Sequence, residues 1–448
     1  MENDIIVSVG IFFDGTGNNG INANTDPNKR PAINNESYKG APTNVYKLFN
    51  AFNSTQKIYI EGIGTVTGGE DSNFAMATCA NPPDATGYSS DDKLQKADNF
   101  VQNTVNDKNA EYHFYVYGFS RGSMLAREFC NQLAAKYPSV NVTIKFLGVF
   151  DTVESKPFNT YDMNLPQKVE HALHVCAVNE CRFFFPLTGF FENSKNMQDT
   201  KTETGSSVWK EVFVPGAHAD VGGGYLEAPH SVYISTDFIN EKDLQDYVSD
   251  VRNAKTDAEG NKIWDALLES FQIEKGVVLS QAYVSREIIF NTLPLVYGKV
   301  MLDETNNAVP GIFNTDLAYS GLEITDDTFL SDFYTKLTAY VNSFSPEMKP
   351  FYDYAEFAPY THISANFGLY HDETLKKTAD EIEAEMINNG LNVPSSTSVD
   401  RGIHTKFLTE LHLPEDSFVA DFLYGTNVPN NDIWSRTIEI RSFAAEQN

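Results

Sequence analysis

His113-Phe114-Tyr115-Val116-Tyr117-Gly118-Phe119-Ser120-Arg121-Gly122-Ser123-Met124-Leu125-Ala126-Arg127 reads as a strand, a sharp turn and a helix with a serine at the bend. Aromatic and β-branched residues fill the run to Tyr117, Gly118 and Gly122 flank the turn, and helix formers follow from Met124. A serine on so tight a turn needs small neighbours two residues to either side, because a Cβ there would collide with the adjoining strand or helix. Its hydroxyl then stands clear of the backbone, near amides at the helix start that can hold an oxyanion. Gly-x-Ser-x-Gly also arises by chance as an ordinary glycine-bounded turn, so its meaning rests on what surrounds it.

Upstream, Ile5–Phe13 is apolar on both faces, as a strand in the middle of a parallel sheet must be, and it runs into the glycine-rich loop Asp14-Gly15-Thr16-Gly17-Asn18-Asn19. Thr43 caps a helix, Gln56 to Gly62 is a second strand, Thr67 to Asp92 reads as a long surface loop and lid, and Asp92 to Asn103 as a helix. Downstream, Val142–Phe150 is another two-faced apolar strand ending at Asp151. A helix is expected at Lys168 to Leu173, an extended stretch at Val175 to Arg182, and a strand at Val208–Val214 that feeds Pro215-Gly216-Ala217-His218-Ala219-Asp220-Val221-Gly222-Gly223-Gly224-Tyr225. Strands alternating with helices predict a mostly parallel, doubly wound α/β sheet over residues 1–230. Beyond residue 230, acidic helical stretches (Glu241 to Ala254, Lys262 to Phe271, Thr374 to Asn388) and an apolar core helix over Ile288 to Tyr297 predict a largely helical portion, 231–448, packing on or capping the sheet. Ser395 to Asp400 reads as a polar loop and Ile438-Glu439-Ile440 as a last strand.

Composition narrows the function. The chain has 448 residues, 41% of them hydrophobic, enough for a sizeable core. A formal charge of -28, from 33 basic and 61 acidic residues, speaks against nucleic acid and against electrostatic docking on anionic lipid; any membrane contact would have to be apolar or locally basic. Cys79, Cys130, Cys176 and Cys181 are too few for a disulfide scaffold, lack zinc-site company and are expected as buried free thiols. No run reaches membrane-span length, and the acidic start Met1-Glu2-Asn3-Asp4 predicts no Sec leader, hence synthesis in the cytoplasm and exit, if any, by a dedicated machine.

A serine hydroxyl needs a histidine to take its proton and a carboxylate to orient the imidazole. Ser120, Asp151 and His218 supply them, each just past a strand end, in the chain order Ser, Asp, His of α/β-hydrolases. Asp151 could instead cap a turn and His218 could be a core histidine, but the glycines after His218 call for close backbone approach. Asp220 is the rival carboxylate and His371 the rival histidine; His362 is left undecided, and the other six histidines read as surface or packing residues. The oxyanion hole is assigned to the amide of Arg121 and to Gly15 or Thr16, with Asp14 either organising that loop or forming a plain turn. A phosphate-loop reading is weak because no Gly-Lys-Ser/Thr follows and the spacing of a dinucleotide fingerprint is absent, and neither cofactor nor metal is expected.

Seven blocks together resemble one family: Phe12–Asn19, Thr43–Val45, Gly62–Thr65, Gly118–Gly122 with Ala126-Arg127, Gly148–Val153, Asn179–Arg182 and Pro215–Tyr225. They are similar to the α/β-hydrolase lipase effectors of bacterial type VI secretion, first class, over residues 5 to 230. The resemblance implies hydrolysis of glycerophospholipid acyl esters (phospholipase A1 or A2), with Ser120 as nucleophile, His218 as base and Asp151 as its orienter. It also implies a membrane phospholipid substrate, delivery on the secretion spike to the target-cell periplasm, and a cognate immunity protein. The elbow arginine, Arg121, fits this family better than generic esterases. The alternatives are an esterase or lipase on smaller or neutral esters and, from another class, a catalytically inactive spike adaptor.

Overall fold

Six parallel strands lie side by side in the order Lys57–Ile60 (β2), Ile5–Phe13 (β1), Ala110–Phe119 (β3), Val142–Phe150 (β4), Val169–Ala177 (β5) and Val208–Val214 (β7). This computed structural model describes residues 5–30, 36–107, 109–137, 142–157, 159–182, 184–190, 208–233, 241–253, 266–269, 271–275, 280–316, 320–324, 326–343, 352–363, 436 and 438–439. Side-chain alternation along the strands divides the core in two. Val9, Ile11 and Phe13 of β1 and Val116 of β3 face the helices Ser90–Thr104 (α4) and Arg121–Lys136 (α5). Phe12 and Tyr117 stack at 5.0 Å on the other face, against Asn44–Ala51 (α2) and Leu293–Ala308 (α8), with Thr328–Asn342 (α9) packed over α8. An α/β-hydrolase-like, doubly wound sheet follows, and part of the chain beyond residue 230 completes one of its faces.

Asn44 shows how that closure is held. Its side-chain amide donates to Val221 O (2.9 Å) and Pro294 O (2.8 Å), joining α2 to α8 and to the short helix His218–Gly222 (α6). Further elements are the short helices Gly20–Ala23 (α1) and Asn73–Thr78 (α3), the helix Glu241–Asn253 (α7), an antiparallel sheet of Ala228–Tyr233 (β8), Ser280–Ile289 (β10) and Gln272–Lys275 (β9), and a parallel pair of Leu187–Thr188 (β6) with Ile438–Glu439 (β11). No helix among the described residues is long and apolar enough to cross a membrane, and all four cysteines are buried and free.

Three local expectations are corrected. Lys168 to Leu173 is not a helix but the start of β5, whose helix-forming Glu170, Ala172 and Leu173 are overridden by pairing with strands on both sides. The extended stretch expected from Val175 to Arg182 ends at Ala177. The apolar run Ile288 to Tyr297 is split: Ile288 and Ile289 end β10 and the helix begins at Leu293, because Pro294 is tolerated only in a first turn. The portion beyond 230 also carries the β8-β10-β9 sheet, which its acidic helical patterning did not suggest. The helix expected at 374–388, half of the one expected at 262–271, and the polar loop at 395–400 lie outside the described residues.

From β1 the sheet grows one way to β2 and the other way to β3, so the loops after β1 and β3 part at a topological switch point. Such a crevice is where open α/β sheets bind ligands. Asp14 and Ser120 are the first residues past those two strands.

Candidate active site

Ser120 sits at φ 58° and ψ −131°, a conformation that an L residue keeps only when its surroundings impose it. Three contacts do so: Ser120 N donates to Phe150 O (3.0 Å), Ser123 N to Ser120 O (3.0 Å), and Ser123 Oγ to Phe150 O (3.0 Å). The flanking glycines give the approach distances that the turn demands. A Cβ on Gly118 would stand 2.6 Å from Gly122 O, and one on Gly122 would stand 2.4 Å from Asp14 O. The second contact seats the Asp14 loop against the start of α5.

Asp151 lies at the end of β4 with a left-handed backbone, φ 43°. Its carboxylate accepts the Ala177 amide at Oδ1 (2.8 Å) and pairs with His218 Nδ1 at Oδ2 (2.6 Å). The pair is buried. His218 opens α6, with its ring 4.6 Å from the Phe119 ring and 5.0 Å from that of Phe185. Its amide points at Glu180 Oε2 (3.3 Å), whose two oxygens are also gripped by Arg182. Among the described residues no hydrogen bond joins the Ser120 hydroxyl to His218; they are neighbours through Phe119. Burial lowers the His218 imidazole below its ordinary value and outweighs the Asp151 charge that would raise it. Burial alone would raise the Asp151 carboxyl, but Arg436, His218 and the Ala177 amide hold it down at about 2.

On the neighbouring loop, the Asp14 carboxylate accepts from Tyr59 Oη (2.5 Å), Thr43 Oγ1 (2.7 Å) and Gly15 N (2.8 Å). Burial nevertheless raises it to about 6. Asp14 thus organises the loop from inside, and Gly15 N is already engaged. Thr16 differs: among the described residues its buried hydroxyl has no partner and its amide makes no hydrogen bond. Arg121 sends its guanidinium away from the bend, to Ser155 O (3.2 Å) and Cys79 Sγ (3.3 Å), so only its amide stays at the elbow.

The rival Asp220 is committed elsewhere. Its Oδ2 takes the amides of Ala217 (2.9 Å) and His362 (2.8 Å), and its Oδ1 pairs with His362 Nδ1 (2.6 Å). Tyr225 stacks on His362 at 4.2 Å. His362, undecided from sequence, is therefore the partner of Asp220; His371 lies outside the described residues. Two residues were missed. His174, read as a packing residue, is buried between Glu211 (Nδ1, 2.8 Å) and the Thr152 amide, which donates to its Nε2 (3.0 Å). Ligand atoms of His174, Cys176 and Glu211 lie within 4.8 Å of one another, but both ring nitrogens are taken, so the group acts as a prop for the Asp151–Thr152 turn. Arg436 donates from Nη1 to Asp151 Oδ2 (3.0 Å) across 285 residues of chain. The only local hint to it was the strand expected two residues later.

A parallel sheet with a serine elbow, an Asp–His pair and a glycine loop at adjoining strand ends defines an α/β-hydrolase-like protein. The profile of the T6SS phospholipase effector Tle1-like catalytic domain matches residues 8–137 and 128–245, just over half of the sequence, and the chain belongs to that family. It is thus a phospholipase effector of type VI secretion. Among solved structures, a Tle1 effector bound to the VgrG spike of the type 6 secretion system shares the fold, with a TM-score of 0.54 and 19% identity over 81% of this chain and 85% of that one. An uncharacterized protein from Pseudomonas aeruginosa is 14% identical over 96% of this chain and 65% of its own, with a TM-score of 0.41. No curated protein matches in sequence.

Proposed function

We propose that the chain is a serine phospholipase of the A1 or A2 type, acting through an acyl-enzyme on Ser120 with His218 as base and Asp151 as the carboxylate that orients it. The observation that carries this reading is the buried Asp151–His218 pair beside a serine held in a strained elbow. His218, neutral at pH 7, takes the Ser120 proton at Nε2 as Oγ adds to the acyl carbonyl. Asp151 on Nδ1 fixes the tautomer and faces the imidazolium that forms. The amides of Arg121 and Thr16 receive the oxyanion, while Gly15 serves by keeping the loop close to Phe119. Collapse expels the lysophospholipid alkoxide, which takes the proton back from His218; water, deprotonated by the same nitrogen, then releases the fatty acid. Substrate arrival draws Ser120 Oγ onto Nε2, a contact that often tightens only in the complex.

The spike-bound relative supports delivery of this chain on a secretion spike; the destination we propose is the target-cell periplasm. A producer whose own membranes carry the same ester needs a cognate immunity protein. Release of fatty acid from phosphatidylethanolamine or phosphatidylglycerol vesicles tests the reading. Ser120→Ala and His218→Ala should abolish it while the unfolding temperature stays near that of the wild type, and retained activity in either variant overturns the assignment.

A further inference from the structure

Beyond the three residues of the proposed triad, the structure holds a buried cation against its carboxylate. Arg436 Nη1 reaches the same Asp151 Oδ2 that pairs with His218 Nδ1, at 3.0 and 2.6 Å. Its side chain is 4% exposed, and its Nε and Nη2 are buried with no hydrogen-bond partner among the described residues. A guanidinium taken out of water at such cost, whose one hydrogen bond among the described residues goes to Asp151, is there for its charge. Three contacts deliver it: β11, two residues on, pairs with β6, Leu187 of β6 bridges to Val153, and Thr188 N donates to Thr152 O (2.9 Å). The turn that carries Asp151 and the segment that carries Arg436 are thus built on one another.

The charges around His218 can be counted by element. Asp151 comes from the end of β4, Glu180 and Arg182 from the turn after β5, and Arg436 from the segment before β11. Cys176 on β5 is a buried thiol pushed well above its ordinary range by burial. On α6 itself Asp220 is closed by His362, with Arg286 of β10 acting on it, and Glu211 of β7 is bonded to His174 behind Thr152. The two carboxylates that face His218, Asp151 and Glu180, are therefore matched by two guanidiniums, and the imidazole is not needed as a cation. With Arg436 gone, one buried carboxylate would be left uncompensated, and a proton on His218 would be the nearest remedy.

We propose that Arg436 is the counter-ion that lets His218 remain neutral at the working pH, a positioning residue for the triad supplied by the C-terminal segment. The proposal rests on the reading of Ser120, His218 and Asp151 given above. An arginine suits this role because its charge does not titrate away on burial. Coulomb attraction on Asp151 agrees with it, Arg436 being the largest of the effects that hold that carboxyl down.

The test is the pH profile of kcat/KM on phospholipid vesicles for the wild type, Arg436→Lys, Arg436→Gln and Arg436→Ala. In the Gln and Ala variants the acidic limb should move up by about one pH unit, a loss of about tenfold below the limb, and the deficit should vanish on the alkaline plateau. Arg436→Lys should keep a profile near the wild type. Arg436→Ala, purified with non-denaturing guanidinium chloride present so that folding and titration effects separate, should regain the wild-type limb with that cation and lose it when the cation is removed. A Gln profile that superimposes on the wild type overturns the proposal, as does a deficit equal at every pH that guanidinium does not restore. Ser120→Ala and His218→Ala run alongside: if they stay active, the triad reading has failed; if they are dead while Arg436→Gln matches the wild type, only the counter-ion has.

Discussion

One five-residue helix, α6, supplies the imidazole of one buried pair and the carboxylate of another. Asp151–His218 and Asp220–His362 each close at 2.6 Å through Nδ1, and each is sealed from water. Distance and burial do not tell them apart; surroundings do. Asp220 spends its second oxygen on the amides of Ala217 and His362, which staples residues 352–363 onto the loop around His218. Asp151 sits on a left-handed turn beside the elbow, gives its second oxygen to the Ala177 amide, shares with Arg436 the oxygen that pairs with His218, and holds a His218 ring that packs on Phe119, the residue before Ser120. The same chemical pair therefore holds the fold in one place and, on the proposed reading, moves a proton in the other. What separates them is that the His218 ring packs on Phe119, one residue before the constrained Ser120, whereas the His362 ring stacks on Tyr225.

The sharpest way to break this comparison is to truncate each imidazole. Ser120→Ala and His218→Ala should lower kcat by about 10⁴- to 10⁶-fold in a vesicle assay with little change in unfolding temperature. Asp151→Asn should follow with a loss of about 10²- to 10⁴-fold, since the tautomer is no longer fixed. His362→Ala should do the reverse, costing about 3–5 kcal/mol in urea unfolding because Asp220 loses its partner, while the folded fraction keeps most of its kcat. If His362→Ala is instead stable and inactive, the two pairs have been given the wrong roles.

A smaller effect separates the carboxylates by pH. Asp14, unfolded near 3.8 and folded at about 6, contributes stability that is complete below pH 4 and is lost as pH rises through 6, at most about 3 kcal/mol. Asp151, held at about 2, contributes stability that is present above pH 4 and is lost as pH falls toward 2. Unfolding free energy between pH 4 and 7 should therefore decline in the wild type and stay flatter in Asp14→Asn; an unchanged slope would mean that Asp14 does not carry the effect.

Local pattern in the sequence makes much of this legible. The strands Ile5–Phe13, Val142–Phe150 and Val208–Val214 stand where the sequence placed them; the first two are two-faced apolar runs ending at an aspartate, which have few other uses. The elbow spacing was legible for the same reason: a close approach at Gly118 and Gly122 leaves a mark in the residues themselves. β5 was misread because its composition favours a helix and only its neighbours make it a strand. Arg436, His362 and the bond from Thr152 to His174 were invisible, since each depends on chain segments 285, 142 and 22 residues apart meeting in three dimensions. Gly15 N, an oxyanion donor by pattern, is engaged by Asp14 Oδ1, which no spacing rule reveals.

The most direct test of the central claim is lipid mass spectrometry after incubation of phospholipid vesicles with the wild type and with Ser120→Ala. Free fatty acid and the matching lysophospholipid should accumulate with the wild type and be absent with the variant. The same products from Ser120→Ala, or diacylglycerol or phosphatidic acid in their place, would contradict it.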